Sequence, residues 1–118
     1  MKAFALLFFV SFTASAGCFE AASVVMSDLE AANICESARP GFDACYPIAS
    51  VNMNARSAVE LCARAERGIA DCHEYASVAV GYGQALKLCL KAPRDFNYCA
   101  ERAPFGMSRA EVVRRCTR

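Results

Sequence analysis

Eight cysteines stand at positions 18, 35, 45, 62, 72, 89, 99 and 116, and the steps between them are 17, 10, 17, 10, 17, 10 and 17. A period of 27 residues follows, which is the mark of stacked supersecondary units that bury their apolar faces against one another. The units run over 18–44, 45–71, 72–98 and 99–118, the last one shortened. Other columns keep the period. Ala22, Ala49, Ala76 and Ala103 stand four residues after each first cysteine, followed by Ser23, Ser50, Ser77 and Pro104. Val24, Val51, Val78 and Phe105 come next, and Met26, Met53, Val80 and Met107 lie two positions further on.

The columns read as helices. Ser27, Asn54, Gly81 and Ser108 are good N-caps at the start of the second, longer segment of each unit. Ser27 with Glu30, and Ser108 with Glu111, have the spacing of a capping box. Ala58, Val59, Leu61, Cys62 and Ala65 fall largely on one helical face. Gly41 and Gly68 fit the left-handed position that closes a helix, and Phe42, Ile69 and Phe96 then read as an apolar plug in the loop. A shorter helix of about seven residues is expected around each first cysteine, because Cys45 and Ala49, like Cys72 and Ala76, share a helical face. No segment keeps a period of two for long, so a β architecture is excluded. The expected fold is all-α: four tandem disulfide-linked helical hairpins in a small solenoid-like array.

The start of the chain reads as an export leader. Met1 and Lys2 precede an apolar run over residues 3–12, and Thr13, Ala14, Ser15 and Ala16 supply the small residues of a cleavage site. Cleavage is expected near Ala16, leaving a single domain over 17–118 with no transmembrane segment. The destination is the periplasm or the extracellular space, where cysteines oxidise. Ser15-Ala16-Gly17-Cys18 resembles the end of a lipoprotein leader, but the usual Leu three places before the cysteine is absent and Cys18 stands in register with the other seven. The expectation is therefore a structural thiol. Pairing within units joins Cys18 to Cys35, Cys45 to Cys62, Cys72 to Cys89 and Cys99 to Cys116, and leaves no cysteine over. Pairing across the loops, such as Cys35 with Cys45 and Cys62 with Cys72, strands Cys18 and Cys116 unless the array closes into a ring. The count of cysteines favours the first scheme and leaves the second open.

Chemistry-bearing constellations are scarce, and neither a metal nor a cofactor is expected. His73 is the only histidine and shares a column with Phe19, Tyr46 and Ala100, so it reads as an occupant of an aromatic slot. The close cysteine pairs of structural zinc sites do not occur, nor does a phosphate-binding glycine loop or a nucleophile elbow. Charge is more informative. Beyond the leader, 12 basic residues balance 12 acidic ones, which argues against general nucleic-acid binding. The balance hides a gradient, for the units carry −4, 0, +1 and +3 in order. The gradient reads either as neutral drift on solvated faces or as opposite ends that attract, so that copies stack head to tail.

In organisation the chain resembles the cysteine-bridged α-hairpin repeat proteins of bacteria. Its repeat is shorter and its cysteines further apart, and no site residue is carried over from that resemblance. The expected function is non-enzymatic: an exported binding or structural module whose partner is a protein or envelope component. Its candidate surface comprises Phe19, Tyr46, His73 and Tyr75, with Ala21, Ile48 and Arg102 in the column of Tyr75, and the basic end Arg109, Arg114, Arg115 and Arg118. The alternative is a small secreted effector or inhibitor acting on a foreign protein, and a hydrolytic enzyme stands third.

Overall fold

The structure, a computed structural model, describes residues 16–118. The leader read over 1–16 lies outside the described residues but for Ala16. Among the described residues there are eight helices, in order α1 (Ala16–Val25), α2 (Asp28–Glu36), α3 (Phe42–Ala49), α4 (Ala55–Cys62), α5 (Ile69–Ala76), α6 (Tyr82–Leu88), α7 (Phe96–Glu101) and α8 (Arg109–Cys116). Among the described residues there is no strand, and no helix is long and apolar enough to cross a membrane.

Each consecutive pair of helices is one hairpin, and each hairpin is closed by its own disulfide. Cys18 is bonded to Cys35, Cys45 to Cys62, Cys72 to Cys89 and Cys99 to Cys116. The scheme that joins Cys35 to Cys45 across a loop is thereby set aside. Cys35, Cys62 and Cys116 sit in the last turn of their helices, α2, α4 and α8. Cys89 departs from that register: it falls one residue past α6, as its C-cap, and its N–H donates to the carbonyls of Ala85 and Leu86. A first turn built on Gly81, Tyr82 and Gly83 starts this helix without a side-chain cap, and it is the shortest of the second helices. The disulfide still closes, for the Cα–Cα distance of 5.6 Å at 72–89 matches the 5.4–5.8 Å of the other three.

Capping chemistry sets the start of the second helix in three of the units. The hydroxyl of Ser27 accepts from the Glu30 N–H, the Asn54 side chain accepts from the Ser57 N–H, and the hydroxyl of Ser108 accepts from the Glu111 N–H. At Ser27 the box is complete, because the Glu30 carboxylate also accepts from the Ser27 N–H. At Ser108 only half of the expected box forms. The Glu111 carboxylate turns instead to Arg114 and Arg115, whose guanidinium groups offer charged donors. Ser50 and Ser77 cap the ends of α3 and α5 while Ser23 lies in the last turn of α1, and all three donate their hydroxyl to the carbonyl three residues back.

The segments that were expected to differ in length do not differ consistently. The second helices span 9, 8, 7 and 8 residues, against 10, 8, 8 and 6 for the first. Past the second cysteine the chain leaves the helix, and its backbone bonds to the next unit. The Arg39 and Gly41 N–H groups donate to the carbonyls of Ala63 and Ala65, and those of Glu66 and Gly68 donate to Leu90 and Ala92. The loops therefore stack on one another in a register of 24 residues, satisfying groups that a loop would otherwise leave to water. Gly41 and Gly68 serve this stacking and not a left-handed turn, for their φ values are −87° and −86°. A Cβ on Gly41 would overlap the carbonyl of Glu66, and one on Gly68 that of Pro93. Among the described residues only Gly106 has a positive φ, 94°. Phe42, Ile69 and Phe96 do not sit in a loop either: each opens the helix that follows and is buried.

The core runs the length of the array as one cluster of small residues and disulfides. Cys35 and Cys89 are buried in it with their partners. Ala22, Ala49 and Ala76 let the helices approach, and Val59, Leu86 and Val113 are wholly buried where α4, α6 and α8 pack on the first helix of the unit before. Ala32 occupies the same column in the first unit and is exposed. The far end departs from the pattern too. In the loop column, Pro93 stands where Arg39 and Glu66 donate, so it has no N–H to give, and Asp95 replaces the glycine.

Candidate interaction surface

Among the described residues, three units have the outer face of their first helix covered by the unit that follows, and none covers that of the fourth. Its cysteine and alanine show the consequence: Cys99 and Ala103 are half-buried, where Cys18, Cys45, Cys72, Ala22, Ala49 and Ala76 are buried. The open face forms a cavity of about 380 Å³. Its apolar lining comes from the Cys99–Cys116 disulfide, Ala103, Pro104, Met107 and Val112, and Tyr98, Arg102 and Arg115 are its exposed polar neighbours. Gly106 supplies the positive φ that turns the link between α7 and α8 beside it.

The arginines around this face are held in place. The guanidinium of Arg102 lies 3.5 Å from the centroid of the Tyr98 ring and donates to the Tyr98 carbonyl at 3.2 Å. A cation over an aromatic face keeps its charge while losing freedom, which prepares it for a ligand at low entropic cost. Arg114 and Arg115 share one carboxylate, Glu111, at 2.9 Å and 3.6 Å, so the cluster stays positive. The hydrogen bond from Arg114, more than any other cause, holds the Glu111 carboxyl below the usual carboxylate range. Arg118 is exposed at the end of the chain.

The aromatic column read from the sequence is placed differently along the array. Phe19 is 40 % exposed. Tyr46 is half-buried and stacked on Phe42. His73 is buried, with its ring edge-on to Tyr82 and its Nε2–H donating to the Tyr82 carbonyl at 3.1 Å. Tyr75 packs edge-on against Phe96 and is covered by Arg109, which lies 4.3 Å from the ring centroid and donates to the Tyr75 carbonyl at 2.9 Å. Tyr46, His73 and Tyr75 thus take part in packing, whereas Arg115 is brought together with Arg102 at the open face. Sequence reasoning missed Tyr98, Met107 and the cavity itself. The available signal was the combination of Tyr98, Arg102 and Arg115 in columns that hold smaller or apolar residues in earlier units.

Among the described residues no group of three or more histidine, cysteine or acidic side chains is placed to hold a metal ion. Comparison with family models, with characterised proteins and with solved structures finds no match for the chain.

Proposed function

We propose that this chain is an exported, non-enzymatic α-repeat module that binds an acidic segment of a protein or envelope component through the open face of its fourth unit. Four intramolecular disulfides, and no membrane-crossing helix among the described residues, are consistent with an extracellular or periplasmic setting. The observation that carries the reading is the apolar cavity of about 380 Å³ with Arg102 and Arg115 beside it. A cavity of this size accepts one large apolar side chain, and flanking arginines favour carboxylates on either side of it. His73 is buried with its Nε2–H on the Tyr82 carbonyl and does not line this cavity.

The test is fluorescence anisotropy with labelled glutamate-rich peptides that carry a single central Leu or Phe, against lysine-rich counterparts. The acidic peptides are expected to bind in a salt-sensitive manner, and Arg102→Glu/Arg115→Glu is expected to abolish that binding. Equal affinity for acidic and basic peptides, or unchanged binding in the double variant, would overturn the proposal.

A further inference from the structure

Val24, Val51, Val78 and Phe105 occupy one column of the repeat, at the tip of each hairpin, and are 81 %, 78 %, 72 % and fully exposed. Single exposed apolar residues are ordinary on protein surfaces. A whole column of them is not scatter, because another outward column, Asp28, Ala55, Tyr82 and Arg109, has diverged in both charge and size. The tip column has stayed apolar while remaining exposed. Successive units repeat one stacking contact, so these tips line one edge of the array, opposite the edge formed by the hydrogen-bonded loops.

The column at the start of the second helices says what covers that edge. It reads acid, small, large aromatic, base: Asp28, Ala55, Tyr82 and Arg109. Set against a second copy running the opposite way, Asp28 meets the exposed Arg109, one N–H of which already goes to the Tyr75 carbonyl while the others stay available, and Ala55 meets Tyr82, each pair occurring twice. The tips match in the same register, Val24 with Phe105 and Val51 with Val78. The unit charges match as well, for −4 lies opposite +3 and the two near-neutral units lie opposite each other. A parallel pairing would set −4 against −4. Continuation end to end, in the register that joins the units, has less to work with. Ala32 offers a small side chain where Val59, Leu86 and Val113 fill the joint.

We infer that two copies of this chain associate side by side and antiparallel, about a two-fold axis, through the edge formed by Val24, Val51, Val78 and Phe105. Such an interface is self-complementary and closes at two copies, unlike a head-to-tail contact. The edge adjoins the open face only at the fourth unit, where Phe105 lies between Pro104 and Met107, so Val51→Asp/Val78→Asp in the two middle units is expected to leave acidic-peptide binding intact.

Sedimentation velocity on the full chain, made through an oxidising export route, tests the inference over a concentration series. The expected result is a monomer–dimer equilibrium with no larger species. Asp28→Arg and Arg109→Asp alone each set like charges face to face and are expected to weaken the dimer by about tenfold or more. The double variant Asp28→Arg/Arg109→Asp restores the opposite-charge pairs and is expected to recover it. Independently of those variants, a carbodiimide acting on Arg109→Lys, in a mixture of isotopically light and heavy chains, is expected to give an intermolecular peptide joining Asp28 to the new lysine. A monomer at every concentration, growth beyond two copies, a double reversal as weak as the single ones, or the absence of the cross-linked peptide would each overturn the antiparallel dimer.

Discussion

Glu30 accepts from two directions at once. Arg56 of the second unit donates to it at 3.1 Å, and its own N-cap residue, Ser27, donates its backbone N–H. The Arg56 hydrogen bond first, and then the Ser27 N–H, hold the Glu30 carboxyl below the usual carboxylate range. The sign follows from the direction. A carboxyl depressed in the folded state contributes stability that is present above its unfolded pKa and is lost as pH falls through its folded pKa. The window is therefore acidic, below the ordinary glutamate range, and the contribution is intact at neutral pH. Arg56→Gln removes the leading cause, so the Glu30 resonance in a carboxyl NMR titration is expected to move its midpoint upward. An unmoved midpoint would place the cause elsewhere. The pair is exposed on both sides, so its effect on overall stability is small. At this scale the sequence was readable where a residue acts on near neighbours, as Ser27 and Glu30 do. It was silent on Arg56, which lies 26 residues away from Glu30.

Among the elements, the loops rather than the helices depart most from expectation. Their order comes from the stacked backbone bonds, and two glycines make the approach close enough. Gly68→Ala sets a Cβ into the Pro93 carbonyl. Overpacking of that kind costs about 1–3 kcal/mol. Gly81→Ala is the matched control: it has nothing within 4 Å of its added Cβ. As an N-cap change it is expected to cost about 0.5–1 kcal/mol, partly offset by the lower entropy that Ala gives the unfolded chain. Chemical denaturation midpoints of the two variants decide the point, and equal losses would refute the stacking role of Gly68. From sequence alone a glycine after a helix suggests a left-handed cap. That reading failed at Gly41 and Gly68 because the constraint comes from the neighbouring unit's carbonyl and not from the residue's own φ.

The whole molecule is an array whose ends differ from its middle. Val59, Leu86 and Val113 are buried against a preceding unit, whereas Ala32 faces outward in the first. The last loop carries Pro93 and Asp95 in place of a donor and a glycine. In such arrays each unit is stabilised by its own closure and by its neighbours. Opening an internal unit therefore reaches further than opening an end one. Cys45→Ala/Cys62→Ala releases a closed loop of 17 residues, a constraint worth about 3 kcal/mol for a loop of that length. Its loss is expected to exceed that of Cys99→Ala/Cys116→Ala, because the second unit has neighbours on both sides. Calorimetric unfolding of the two variants tests this, and a larger loss from the terminal pair would contradict the coupling of units. At this scale the edge of exposed tips and the open terminal face are properties of the stack, and no single unit shows them.

The cysteine register, the cap residues and the charge gradient were legible in the sequence because each depends on spacing or composition along the chain. They determine that the protein is a run of four like units, that those units are helical hairpins, and that one end is acidic and the other basic. They left Cys35 with two possible partners, and the fold chose Cys18 by closing each hairpin on itself. What only the tertiary structure decided is where each column faces. The valines at the tips and the valines of the second helices are the same residue type, yet Val51 is exposed and Val59 is wholly buried. The difference arises because stacking buries whatever lies between units and leaves the hairpin tips outside. For the same reason Tyr46, His73 and Tyr75 went into packing, while the fourth unit, over which no other of the described units lies, has an open apolar face beside its arginines.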